Sequence, residues 1–547
     1  MLHCLPRTAS QRMRALLLAL PAALLFGIPG AVPAQRAVSE TQQKPPTAAL
    51  KAASEEWTGL YFGRKKVGYS VTRTTATTYL SKPALLETTE GITRIVMLGA
   101  KVEQEENSES ITDLEHRPLK QTVNVTSNGS ALHVEALFDY AAHKIFCTVG
   151  TGSDATHKVL EIPAGANLVT DSSMLTEGKN LTVGTKLKFY ILQPLSVELR
   201  PATLEVVGRA TVVSDSGQSI STFVVNAELP DGKMVSWVDK DGALVKSEIQ
   251  VGGITMTMVH ETEVHAHDTA YASPALTKAV AGAPAQPSDF ADATALKPDR
   301  ALPDPRTLRY LKATISGVPE RNVVPSDDRQ SFKRAKGAQG DGVTADFTIR
   351  AERFTAAGAS LWPVRDSSMA PYLARAAYLE TDDIPIHQTA LQIRGKEKNL
   401  FAIASSIRDW VHKVMTPDAS IGVVRSAKDV YGRRRGVCRD YATLYTALAR
   451  AAGVPTRLCA GIVYADGRFF YHAWAESYVG RWVAFDPTLY DAKWADFVDA
   501  THVKFAQGDV MQMFEVVSIV GRLKIHIVES DPAALEAESG AAAKTVH

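Results

Sequence analysis

The chain is poor in the residues on which several kinds of function depend. It has four cysteines in 547 residues, Cys4, Cys147, Cys438 and Cys459. They are too few and too scattered for a disulfide scaffold or a thiolate zinc site. Neither sign of charge is in excess: 60 Lys and Arg face 59 Asp and Glu, for a net charge of +1. That balance gives no electrostatic case for nucleic acid as a partner. No carboxylates stand at calcium-loop spacing, so no metal and no cofactor is expected. Beyond the first thirty or so residues, no apolar run is long enough to span a membrane. The length predicts several domains.

The N-terminus has the features of an export signal. Arg7, Arg12 and Arg14 precede an apolar run from Ala15 to Ile28, and Val32-Pro33-Ala34 offers small residues for cleavage after Ala34. The expected location is periplasmic or secreted. Cleavage would remove Cys4 and leave three cysteines, an odd number that implies a free thiol in an oxidising compartment. Whether Cys147 and Cys459 pair stays open, although Cys459 reads as a buried strand residue within LCAGIVY.

The expected organisation is a signal peptide over 1–34, a leader over 35–54, a β-rich domain over 55–265 and a linker over 266–306. A catalytic domain over 307–530 and a frayed tail over 531–547 follow. The β-rich region shows alternating runs punctuated by turns at Gly63, at Asp239-Lys240-Asp241-Gly242 and at Gly252-Gly253. The linker is Ala- and Pro-rich with little periodicity. His265-Ala266-His267 just before it lacks the carboxylate or cysteine pattern of a metal site. In the catalytic domain RYLKATISGV and TADFTIRAERF read as strands and PSDDRQSFKRAKGAQGDG as a polar loop. MFEVVSIVGRLKIHIVES reads as strand, turn and strand.

The chemistry concentrates in residues 436–488. Cys438 opens DYATLYTALARAAG, whose apolar residues recur at helical spacing until Gly453 and Pro455 end the run. A thiol at a helix N-terminus meets unpaired N–H groups and the positive end of the dipole, which favour a thiolate. The same N–H groups could hold an oxyanion. Arg439 adds positive charge, and Arg433-Arg434-Arg435 reads as a solvated loop. A strand from Arg457 to Ala465, a hairpin turn at Asp466-Gly467 and a strand from Arg468 to Val479 follow. His472, Trp474, Glu476 and Tyr478 share one face of the second strand. If the next connection centres on Val479 with an odd residue count, His472 and Asp486 stand directly opposite each other. If that face is buried, Glu476 needs a partner. Cys438, His472 and Asp486 then make a nucleophile, a general base and an orienting carboxylate.

Three blocks, GVCRDYATLYTALARAAGVPTR, YHAW and WVAFDPT, resemble the core of the bacterial transglutaminase-like superfamily. SSIRDWVHKVM is similar to the helix that precedes the family's active-site helix. The resemblance covers roughly residues 370–490. It implies an α+β fold: a papain-like core, with an active-site helix packed on an antiparallel sheet, behind the β-rich N-terminal domain. It also implies the triad Cys438, His472 and Asp486. Many members carry an aromatic residue where this chain has Met415-Thr416-Pro417, so the backbone N–H of Cys438 is the one oxyanion donor assigned. The WVDKDGALVKSE hairpin is weakly similar to the curved sheets of periplasmic lipoprotein-carrier domains.

The expected activity is thiol-dependent acyl transfer on amide bonds through a thioester, with peptidase- or amidase-like hydrolysis ahead of glutamine–amine cross-linking. A non-catalytic envelope binding protein is the alternative from another class. The expected partner is a protein or peptide substrate, such as a cell-envelope peptide. Substrate identity and oligomeric state are not legible.

Overall fold

The computed structural model describes residues 54–531, apart from 153–154, 171–180, 195, 230–231, 252–253, 277–288, 319–323, 335–342, 352 and 491–496. The expected signal, leader and tail, the Gly252-Gly253 turn and part of the expected linker therefore lie outside the described residues. Among the described residues no helix is long and apolar enough to cross a membrane. The chain forms two compact units that part between Gln286 and Pro287, with the short segment Val96–Lys101 grouped with the second.

The N-terminal unit is built on one antiparallel sheet of fourteen strands between Ser54 and Glu261. Consecutive strands are neighbours from the first to the eighth and from the ninth to the fourteenth, and the first pairs with the fourteenth. The alternation read in the sequence becomes this meander because each strand has one buried face. Phe189, Leu204, Val206 and Val225 form part of its core. The Asp239–Gly242 turn closes as expected, with Asp239 N–H bonded to the Ala243 carbonyl at 2.8 Å.

A polar cluster fastens the end of this unit. Lys66 meets Glu261 at 2.6 Å, and His265 Nδ1 and the Tyr271 hydroxyl reach Asp215 at 2.6 and 2.7 Å. The His267 ring lies 4.9 Å from Trp57 and 4.4 Å from Tyr69. Both histidines of the His265-Ala266-His267 pair are thus engaged in local packing.

The stretch expected as a linker is ordered at both ends. Glu263–His267 forms a short helix, and Phe290–Thr294 forms another. From there Leu296 bridges to Phe469, and Leu302 N–H reaches the Tyr464 hydroxyl at 3.1 Å. Residues 289–308 are therefore part of the C-terminal unit's packing, which a proline- and alanine-rich composition does not reveal.

Among the described residues the C-terminal unit holds two four-stranded antiparallel sheets, a short parallel pairing of Thr416–Pro417 with Arg435–Gly436, and four main helices. One sheet runs Gln330–Arg334, Val343–Arg350, Tyr310–Val318, Lys524–Asp531. The other runs Trp482–Phe485, Arg468–Tyr478, Thr456–Ala465, Val503–Gly508. The helices are Ile384–Arg394, Leu400–Val414, Ala427–Arg433 and Cys438–Ala451.

Two expectations need correction. Gln330–Arg334, expected within a loop, is an edge strand; Gln330 donates to the Lys504 carbonyl at 2.7 Å and accepts its N–H at 2.8 Å. Tertiary pairing overrides a polar composition there. Val510–Ile519, expected partly as a strand, is a 3₁₀ segment. A continuous apolar run does not distinguish a strand from a buried helical turn.

Candidate active site

Cys438 is the first residue of its helix, Cys438–Ala451. Val437 at the cap offers no side-chain bond, and Asp440, three positions on, accepts the Val437 N–H at 2.9 Å instead. Asp440 is held in turn by Arg425 at 3.0 Å, with both side chains buried. Gly436 makes this possible: a Cβ there would lie 2.2 Å from Asp440 Oδ2 and 2.5 Å from Arg425. Arg439 is buried too and donates to the Val423 carbonyl at 2.6 Å. Burial pulls its guanidinium below the usual arginine range. Cys438 is itself 2% exposed.

The strands Thr456–Ala465 and Arg468–Tyr478 form the expected hairpin, with Ala465 opposite Arg468. The next connection has three residues, Val479 to Arg481, since Tyr478 pairs with Trp482 and Ala475 with Phe485. The odd count holds, but the centre is Gly480, one residue later than expected. Asp486 therefore follows Phe485 onto the His472 face diagonally rather than directly opposite it. The bond still forms: His472 Nε2 lies 2.8 Å from Asp486 Oδ2.

With Nε2 held by the carboxylate, the ring's other nitrogen is the free one. Nδ1 is buried and has no oxygen or nitrogen hydrogen-bond partner among the described residues. Burial opposes charge on His472, but the Asp486 carboxylate and then the Cys438 thiol outweigh it and raise its pKa to about 10. Burial likewise opposes charge on Asp486, yet His472 and His502 keep it well below the usual carboxylate range. Asp486 Oδ1 accepts the N–H groups of Thr488 and Leu489 at 2.7 and 3.2 Å.

Glu476, on the same strand face, has the partners its burial demands. Lys504 reaches Oε1 at 2.6 Å, and Arg457 reaches Oε2 at 2.9 and 2.6 Å. Against the cost of burial, these cations hold its pKa at about 2. Asp327 caps the cluster 2.5 Å from Lys504.

Several groups at the site were not read from the sequence: His502, Asp499, Arg306, Lys504 and the Arg425–Asp440 pair. The only available signal for His502 was one histidine in an alternating run, HVKFAQ. The ligand atoms of His472, Asp486 and His502 lie within 4.8 Å of one another, which makes them the one set among the described residues that could hold a metal. Both Nε2 atoms already sit at hydrogen-bond distance from the same Oδ2, the geometry of two donors sharing an acceptor.

Residues 387–487 match the Transglutaminase-like superfamily. The chain thus contains a transglutaminase-like domain over residues 387–487. Residues 59–259 match a second family, a protein of unknown function (DUF3108). An uncharacterized protein of Mycobacterium leprae is 34% identical over 77 residues, which are 12% of this chain and 27% of that protein. The chain thus spans about a quarter of the length of that curated relative. Among solved structures, a candidate cysteine protease of Cytophaga hutchinsonii is 19% identical at a TM-score of 0.28, covering 41% of this chain and 88% of its own. A β-barrel-like protein of unknown function from Brucella abortus is 10% identical at a TM-score of 0.29, covering 39% and 97%.

Proposed function

We propose that the protein is an exported thiol enzyme that cleaves amide bonds in proteins or peptides by acyl transfer to Cys438. The observation that carries this reading is the His472 ring, bonded to Asp486 through Nε2 while the Cys438 thiol acts on it from nearby. A transglutaminase-like domain around these residues supports a cysteine enzyme at the coarse level.

The proposed steps are these. Nδ1 of His472 takes the thiol proton, and the sulfur attacks the acyl carbon. The carbonyl oxygen becomes an oxyanion beside the N–H groups at the start of the Cys438–Ala451 helix. His472 returns the proton to the departing amine, which leaves a thioester. Water, deprotonated by the same ring, then releases the acid. Asp486 stays ionised and stabilises the imidazolium. An amine in place of water would give cross-linking. The export signal would place the enzyme in the periplasm or outside the cell.

The test is the rate at which iodoacetamide alkylates Cys438, followed against pH, with His472→Ala as control. With His472 beside it to take the thiol proton, wild type should react faster than the variant at neutral pH and below. The variant should be slower at neutral pH by about 10²-fold. Equal, slow rates would leave the binding-protein reading in front. With a reactive thiol, release of free acid supports hydrolysis, and an amine adduct would favour cross-linking instead.

A further inference from the structure

A second histidine shares the carboxylate of Asp486. His502 Nε2 lies 3.1 Å from Asp486 Oδ2, the oxygen that also receives His472 Nε2 at 2.8 Å. His502 is 2% exposed. Its ring packs edge-on against Trp474, with centroids 5.3 Å apart, and against His472 at 5.5 Å. Its Nδ1 faces Asp499, 3.3 Å from the carbonyl and 3.4 Å from Oδ2. Asp499 is held by Arg306 at 2.8 Å and by the Thr501 N–H at 2.9 Å. Both ring nitrogens therefore face oxygen acceptors, and the ring presents Nε2–H to Asp486.

The fold builds this contact deliberately. In the pairing of Thr456–Ala465 with Val503–Gly508 the register shifts between Ala460 and Gly461, so that Ala460 opposes Ala506 and Gly461 opposes Lys504. Gly461 also opposes His472. The one-residue bulge thus turns Lys504, and His502 two residues before it, onto the His472 face. Gly461 admits the close approach, since a Cβ there would lie 1.9 Å from the Val503 carbonyl oxygen. His502 lies beyond the residues that match the superfamily, 387–487.

A cleft lies beside the same pair. Arg306, Phe401, Arg408, Tyr490 and Phe497 line it together with Asp486 and His502, whereas Cys438 and His472 are not among its walls. The titratable and charged groups around this site are Cys438, His472, His502, Asp499, Arg306 and Arg408.

We propose that His502 is a positioning residue for the thiol–imidazole pair: by donating to Asp486 Oδ2 it fixes the carboxylate and limits how much of its charge acts on the His472 ring. The inference rests on the triad reading above. A carboxylate oxygen with two donors gives less of its charge to each. Removing one donor should strengthen the hold of Asp486 on the His472 proton.

Two variants separate this role from simple packing. His502→Leu fills similar space with no donor, while His502→Gln keeps an N–H that can reach Asp486. The readout is the NMR titration of the ¹⁵N-labelled His472 ring. In His502→Leu the ring should titrate about half a unit to one unit higher, the equivalent of one ordinary hydrogen bond. His502→Gln should titrate like wild type. If His502→Leu fails to fold, His502→Ala replaces it, with imidazole added through the cleft; restoration of the wild-type titration then supports the role. A His472 titration that is unchanged or lowered without the donor overturns the proposal. Indifference of wild-type alkylation to His472→Ala is a separate result, which sinks the triad reading instead.

Discussion

Two buried glutamates, one in each unit, are held in opposite charge states. Glu106 lies in the strand Ala100–Thr112, and Glu476 in the strand Arg468–Tyr478. Both are buried. Burial raises the Glu106 carboxyl to about 8, opposed only by a hydrogen bond from Ser108, and its Oε2 has no partner. Glu476 is held at about 2 by Lys504 and Arg457 despite the same burial cost. Gln104, two residues from Glu106, also has both amide atoms unpartnered. Burial alone does not fix the charge of a carboxyl; the cations brought within about 3 Å of it do. In the C-terminal unit such pairs lie on the face that carries the candidate triad.

The sharpest way to break this contrast is to remove a cation. Lys504→Met leaves Glu476 buried with Arg457 alone and should cost on the order of 3–5 kcal/mol. Urea unfolding read by hydrogen exchange in Arg468–Tyr478 measures it. A loss under about 1 kcal/mol would mean that Arg457 alone suffices.

Glu476→Gln tests the sign. The Glu476 carboxyl lies below its ordinary value of 4.5. Its stabilisation is therefore full above about pH 4.5 and lost as pH falls through about 2. Wild type should lose on the order of 3 kcal/mol across that window, and the variant should not show that loss. Parallel acid profiles for the two proteins would contradict the pairing.

Glu106→Gln should act in the other direction and at the other end of the scale. The folded Glu106 carboxyl is raised, so wild type has its full stability below about pH 4.5 and loses it as pH rises through about 8. The variant should gain about 1–3 kcal/mol over wild type at pH 9 and nothing at pH 4. An equal effect at both pH values would show that shape matters there rather than charge. The smallest change is expected for Ser108→Ala, which removes the one bond that favours the ionised form. A loss of about 0.5–1.5 kcal/mol, larger at alkaline pH, is expected from urea unfolding read by hydrogen exchange in Ala100–Thr112.

The candidate site was legible where its logic is local. The apolar spacing after Cys438 and the stop at Gly453 gave a helix that does run from Cys438 to Ala451. Asp466-Gly467 gave the hairpin, and strand alternation put Glu476 beside His472 and demanded a partner for it. The register of the following turn was misplaced by one residue, because a Val-Gly-Arg connection carries no strong turn signature. The short strand at Gln330 and the 3₁₀ segment at Val510 were missed because their conformations come from what they pack against.

The sequence by itself determined the parts whose physics spans a few residues: alternation of faces and a helix start that carries a thiol. The tertiary structure decided which distant groups meet. Lys504 reaches Glu476, His502 reaches Asp486 and Arg306 reaches Asp499. Each contact needs atoms within about 3 Å, and the first two depend on a one-residue bulge at Ala460–Gly461 that reverses which side chains face His472. A shift of one residue leaves almost no trace in composition or spacing, yet it exchanges the two faces of a strand.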